Sequence, residues 1–162
     1  MVDKAPSSLD FEWQWKAFDQ LSTLQLAQLY QLRQSVFIVE QNCPYLDADG
    51  KDPGAFHLLG FLENQLIATL RYFPDYVDYD HQASIGRVCT AQSVRRFGAG
   101  RELMAQAMEF ADQNYPQQPI QIGAQAYLED FYASFGFKTV SEIYIEDDIP
   151  HILMRRPASN NG

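Results

Sequence analysis

Apolar positions recur at two periods along the chain, and the switches between them mark its elements. Phe11, Trp13 and Trp15 alternate with Glu12, Gln14 and Lys16, the period of a half-buried strand. Ser22 followed by Gln25 is a capping box, with Leu21 and Leu26 set as its hydrophobic staple. From there Leu26, Leu29, Tyr30, Arg33, Val36 and Phe37 fall on one helical face. Residues 42–54, rich in Asp, Pro and Gly, read as a loop. Residues 56–62 and 66–73 read as strands joined by a Glu63-Asn64-Gln65 turn, hence a hairpin, and 84–90 as a third strand after the polar loop 75–82. A helix follows, with Leu103, Met104, Ala107, Met108 and Ala111 on one face and Pro116 beyond its end. Residues 120–124 predict a short strand and 127–135 a short helix stopped by Gly136. Two strands, at about 137–145 and 151–155, close the chain.

That order (β, α, a run of antiparallel-type strands, then βαβ-like alternation) predicts a mixed α/β sheet rather than a doubly wound one. Residues 1–8 and 157–162 are polar, small and aperiodic and are expected to be flexible ends of a single domain over 9–156. A chain of 162 residues buries roughly 70% of its unfolded surface and needs no metal or disulfide to fold.

Charge narrows the partners. Twenty-one acids against twelve bases give a net charge of −9, which phosphate backbones and anionic bilayers repel; nucleic-acid and membrane partners are not expected. No apolar run approaches the ~18–20 residues of a membrane span. The first ten residues hold no apolar signal core, and Cys43 and Cys89 form no framework, so a cytoplasmic protein is expected. The acids cluster at Glu40, Asp47, Asp49 and Asp52, and again at Glu142, Glu146, Asp147 and Asp148. Each cluster reads as a solvated loop; if both line one cleft, the substrate is cationic. Against this background Arg95, Arg96 and Arg101 form a basic island, the mark of a local anion site.

The island lies in a turn between a predicted strand and a predicted helix, Arg95-Arg96-Phe97-Gly98-Ala99-Gly100-Arg101. Glycines let backbone N–H groups approach a ligand, and a helix beginning near Ala99 adds unpaired donors and its positive dipole end. Arginines add charge-assisted hydrogen bonds, completing a phosphate-binding turn. The dinucleotide fingerprint G-x-G-x-x-G fails because Leu103 occupies its third glycine position, and no Gly-Lys-Ser/Thr of a P-loop exists.

The surviving pattern, R-x-x-G-x-G opening a helix after a mid-chain strand, resembles the acyl-CoA signature of the GNAT N-acetyltransferases. The resemblance implies that fold: a central mixed, mostly antiparallel sheet flanked by helices. It implies acetyl-CoA as acyl donor, its pyrophosphate on the turn and its pantetheine along Val88, Cys89 and Thr90. Residues 125–137, from Gln125-Ala126-Tyr127-Leu128 through Phe131-Tyr132 to Gly136-Phe137, resemble the family's second landmark. Gln125 stands where the family often has Asn and is carried over as a cofactor contact, and Leu128 replaces a small residue. Tyr132 matches the tyrosine that protonates the departing thiolate, with a buried packing role as its alternative.

Longer blocks resemble the ElaA-like branch of that family. They include Leu32-Arg33-x-x-Val36-Phe37-x-Val39-Glu40-Gln41-Asn42-Cys43-Pro44-Tyr45, Asp47-x-Asp49-Gly50-x-Asp52, Ile85-Gly86-Arg87-Val88, Gly123-Ala124-Gln125-Ala126 and Glu146-Asp147-Asp148-Ile149-Pro150-His151-Ile152. The first also resembles acyl-homoserine lactone synthases of the same fold, so lactone synthesis is one rival function and non-catalytic acyl-CoA binding another.

An ammonium acceptor must lose a proton before attack. Glu40 is the first candidate base, Glu146 and His151 the alternatives. His57 and His151 equally suit hydrogen-bonded core positions, and His81 a loop. Counted from Asp47, the glycine and glutamate positions of a calcium loop hold Asp52 and Leu58, and two cysteines are too few for zinc, so no metal is expected. Cys89 reads as a small buried residue rather than a nucleophile. The reading is an enzyme, monomer or homodimer, moving acetyl from acetyl-CoA to a primary amine of a cationic small molecule or peptide.

Overall fold

A computed structural model describes residues 9–159; the expected flexible end 1–8, and residues 160–162 of the expected flexible end 157–162, lie outside the described residues. Eight strands form one mixed sheet: β1 (Glu12–Ala17), β2 (Phe56–Leu62), β3 (Gln65–Tyr76), β4 (Gln82–Thr90), β5 (Ile120–Gln125), β6 (Lys138–Thr139), β7 (Tyr144–Glu146) and β8 (Ile149–Arg156). Their order is β1-β2-β3-β4-β5-β8-β6, with β7 also on β8. The helices that flank the sheet are α1 (Thr23–Arg33), α2 (Ala99–Asn114) and α3 (Glu129–Ala133). The β4–β5 pair is parallel, and β1–β2, β5–β8, β6–β8 and β7–β8 are antiparallel. Two compact units are distinguished: Met1–Arg71 with Arg87–Gln106, and Tyr72–Gly86 with Ala107–Gly162.

In the first unit β1 pairs with β2 so that Trp13 faces Gly60. A β-carbon on Gly60 would stand 2.5 Å from the indole, so the glycine is what lets the ring lie across the strand. The predicted capping box is present: Ser22 Oγ accepts from the Gln25 N–H, and Gln25 Oε1 accepts from the Ser22 N–H, both at 3.0 Å. Leu29, Leu32 and Val36 pack with Leu59, Leu66 and Cys89, and the staple pair Leu21 and Leu26 lies against that cluster. A fully buried leucine contributes roughly 1.5–3 kcal/mol. The helical pattern does not end at Arg33 but widens into a π-helical stretch, Gln34–Glu40, closed by Gln41 N–H to Val36 O and Cys43 N–H to Ile38 O. The β2–β3 turn is one residue tighter than expected: Gln65 joins β3, and Glu63 and Asn64 both take positive φ, as a two-residue primed turn requires.

In the second unit Tyr72 is buried against Phe110 and Tyr115, and β5 runs antiparallel to β8 from Ile120↔Arg156 to Gln125↔His151. The single strand expected at 137–145 is two short ones, because at the break the Ser141 hydroxyl, rather than a carbonyl, accepts the Leu153 N–H. Helix α3 ends as predicted at Gly136: φ is +95°, Gly136 N–H donates to Ala133 O and Phe137 N–H to Tyr132 O. Of the expected flexible C-terminal end, Ser159 Oγ donates to Pro116 O at 3.3 Å.

Candidate active site

The basic turn begins with a 3₁₀ stretch, Gln92–Phe97, and reaches α2 through Gly98 at φ +77°. That left-handed step is open to a residue without a β-carbon. Helix α2 starts at Ala99, its Leu103, Met104, Ala107, Met108 and Ala111 all buried as expected. Ala99 is buried beneath the turn; Gly98, Arg96 and Arg101 are exposed, and Phe97 and Gly100 half-buried. Strand β4 supplies Val88 and Thr90, half-buried, and Cys89, buried. Burial pushes the Cys89 thiol up to about 12, leaving it a neutral core group.

Arg95 turns back from the island. Its guanidinium grips both carboxylate oxygens of Glu40, with Nη2–Oε2 at 2.8 Å, and donates to the Thr90 carbonyl from Nε at 3.3 Å and Nη2 at 3.0 Å. The Arg95 hydrogen bonds hold the Glu40 carboxyl below its ordinary value. Glu40 therefore stands as the anion partner of Arg95, an arrangement that weakens it as a proton acceptor.

The rest of the acid cluster that begins at Glu40 is not a solvated loop. Asp47, Asp49 and Asp52 neutralise three arginines whose importance the sequence reading missed. Arg33, 1% exposed, donates to Asp47 and Asp52 at 2.8 Å each. Arg71 reaches Asp49 at 2.7 Å and Asp52 at 3.0 Å, and Arg87 lies 2.8 Å from Asp47. The pairing corrects the solvated-loop reading and leaves these three aspartates engaged by arginines rather than open to a cationic substrate. The available signal was their balance: Arg71 and Arg87, each inside a predicted strand, and Arg33, on the apolar face of the predicted helix, need three internal anions. His57 Nε2 meets Asp52 O at 2.9 Å, and burial lowers its pKa, the neutral core role expected of it.

In the second unit Tyr132 is 7% exposed among Phe131 and Phe137, and burial raises its phenol far above the ordinary range. Gln125 ends β5, half-buried and registered opposite His151. His151 Nε2 lies 3.5 Å from Glu146, and His81 pairs with Asp75 at 2.7 Å on the exposed β3–β4 loop. Among the described residues no group of three His, Cys, Asp or Glu side chains gathers as a metal site, and no helix is long and apolar enough to cross a membrane.

A mixed sheet whose fourth strand leads through a left-handed glycine into a helix with a basic N-terminal turn defines an acyltransferase-type architecture. The sequence profile described as "Acetyltransferase (GNAT) domain" matches residues 55–157, and the chain belongs to the GNAT acetyltransferase family, in its ElaA-like branch. Protein ElaA of Escherichia coli strain K12 is 44% identical over 147 residues, covering 90% of this chain and 95% of ElaA. The crystal structure of Escherichia coli ElaA superposes with a TM-score of 0.85 at 42% identity, covering 91% of this chain and 99% of that one. An acyl-CoA N-acyltransferase from Pseudomonas aeruginosa gives 0.84 at 41% identity over 90% of this chain and 99% of its own.

Proposed function

We propose that this enzyme transfers acetyl from acetyl-CoA to a primary amine, carried by a cationic small molecule or peptide, by direct attack. The observation that carries the donor assignment is the turn from Gly98 into α2, where N–H groups without helical partners meet exposed arginines. In this reading the pyrophosphate rests on the backbone of Phe97, Gly98, Ala99, Gly100 and Arg101, with Arg96 and Arg101 adding charge. Arg95, tied to Glu40 and Thr90, shapes the turn rather than contributing a loose cation. The pantetheine runs along Val88, Cys89 and Thr90, which follow a left-handed residue, Arg87 at φ +49°. Gln125 is a further cofactor contact.

The amine lone pair attacks the thioester carbonyl, the C–S bond breaks, the Tyr132 hydroxyl gives its proton to the leaving sulfur, and the proton the nitrogen sheds on becoming an amide restores the phenol. Burial keeps the phenol protonated at neutral pH; the same exclusion of water raises a thiolate's appetite for a proton, as the buried Cys89 illustrates. Much of the rate comes from holding two reactants together. The acceptor's surplus proton goes to Glu146 or His151, which are not engaged by an arginine as Glu40 is. The exposed acids Glu142, Glu146, Asp147 and Asp148 support a cationic acceptor. The reading needs no metal and places the enzyme in the cytoplasm, as a monomer or homodimer acting as one domain.

Calorimetric titration with acetyl-CoA, with dephospho-CoA and ATP as controls, tests the donor. Saturable heat selective for acetyl-CoA is expected; a folded protein that gives none overturns the assignment.

A further inference from the structure

The second unit holds a constellation of which the donor reading uses only Gln125. Register places Gln125 opposite His151 and His151 opposite Tyr144, so three strands present one row on one face of the sheet. Two residues back along β5, on the same face, is Gly123. Ile122 and Ala124 on either side of it are buried, whereas Gly123 itself is exposed. Two phenols converge above it: a β-carbon added at Gly123 would stand 3.0 Å from the Tyr144 hydroxyl and 3.2 Å from that of Tyr79. Both tyrosines are half-buried, and among the described residues neither hydroxyl has a hydrogen-bond partner.

The walls continue the same chemistry. The Tyr76 ring lies 5.0 Å from that of Tyr79, and Tyr144 stacks on His151 at 5.9 Å. His151 Nδ1 is 2.7 Å from the Ile149 carbonyl. A carbonyl only accepts, so Nδ1 carries a hydrogen, and Nε2 lies 3.5 Å from a Glu146 oxygen. A floor without a side chain, two unsatisfied phenol oxygens, aromatic faces and one carboxylate together suit a primary ammonium: three N–H donors around a compact positive charge.

We propose that the Gly123 cradle, walled by Tyr79, Tyr144, His151 and Glu146, is the acceptor subsite and takes the substrate's primary ammonium group. This rests on the amine-acetylating reading and gives that reading's acceptor a location. The phenol oxygens accept its N–H groups, the Tyr144 and His151 rings wall it, and Glu146 balances its charge.

The test is ¹⁹F NMR of the full chain labelled with 3-fluorotyrosine and titrated with spermidine, magnesium chloride at matched ionic strength serving as the control for general attraction to an acidic protein. Tyr79→Phe and Tyr144→Phe identify the two resonances. Both are expected to move with spermidine and not with magnesium. Gly123→Ala, which fills the floor, and Glu146→Gln are each expected to weaken the response about tenfold, the scale of one charge-assisted contact. Still resonances up to ~10 mM spermidine, a concentration beyond any useful acceptor affinity, overturn the subsite; so does a response that Gly123→Ala leaves intact. Acetyl-CoA calorimetry on the same samples separates the two readings. Spermidine binding without acetyl-CoA binding defeats the donor assignment alone, and acetyl-CoA binding with an unresponsive cradle defeats the subsite alone.

Discussion

Arg87 shows how a residue can be held where its own backbone preference opposes it. A non-glycine residue at φ +49° inside a strand costs about 1–2 kcal/mol. Its guanidinium is anchored by Asp47 at 2.8 Å and Asp49 at 3.5 Å, and lies 5.5 Å over the Tyr45 ring. Contacts of this kind offset the strain, and they sit immediately before Val88. Tyr132 is the complementary case, a residue whose proposed role is chemical. Tyr132→Phe keeps the buried ring and removes only the proton. Turnover is expected to fall by roughly 10²-fold, within the range for general acid catalysis, with acetyl-CoA affinity unchanged. Steady-state release of CoA beside a binding titration checks this, and unchanged turnover removes the assignment. The sequence pattern singled out Tyr132 by its motif. Nothing in the local pattern around Arg87 announced a left-handed strand residue, because its stabilising partners lie 40 residues away in the loop.

At the scale of elements, the loop 42–54 is an ionic clasp rather than a solvated connection. Asp52 joins Arg33 of α1 to Arg71 of β3, and removing one partner of such a buried set strands the others' charge. Asp52→Asn is expected to cost about 3–5 kcal/mol, read from the urea midpoint. The clasp also predicts acid sensitivity. Burial alone raises the Asp49 and Asp52 carboxyls, but hydrogen bonds from Arg71 to both, and from Arg33 to Asp52, outweigh it, and both lie below their ordinary value. Carboxyls depressed in the folded state stabilise it fully above their unfolded pKa, near ~3.9, and lose that contribution as pH falls through their folded values. Urea midpoints should therefore drop below about pH 4 more steeply in the parent than in Asp52→Asn. Parallel acid profiles would show that the clasp carries no pH-dependent stability. The capping box, the hairpin, the α2 core face and the Gly136 stop were legible, since each depends on residues within a few positions of one another. The π-helical widening at Gln34–Glu40 and the division of β6 from β7 were not: local sequence carries no period for the first, and a hydroxyl taking a carbonyl's place in the ladder decides the second.

For the whole molecule, a net charge of −9 disfavours anions in general, so the proposed binding of a polyanionic cofactor would depend on the local turn. Acetyl-CoA at a hundredfold excess over its Kd should stabilise the native chain by ~2.7 kcal/mol and raise its Tm by roughly 5–10 °C. Scanning calorimetry with and without ligand measures the shift, and an unmoved Tm contradicts binding to the folded state. Sequence alone determined the family, most of the element order and the basic glycine turn that opens α2, because short-range periodicity, capping and a contiguous motif encode each of them. Only the tertiary structure decided what the charged and aromatic residues do. It matched three loop aspartates to three distant arginines, turned Glu40 toward Arg95, and brought Tyr79, Gly123, Tyr144 and His151 to one face. The physical reason is that a buried charge or a converging hydroxyl is defined by its partner across the fold, and strand register, not local pattern, chooses that partner.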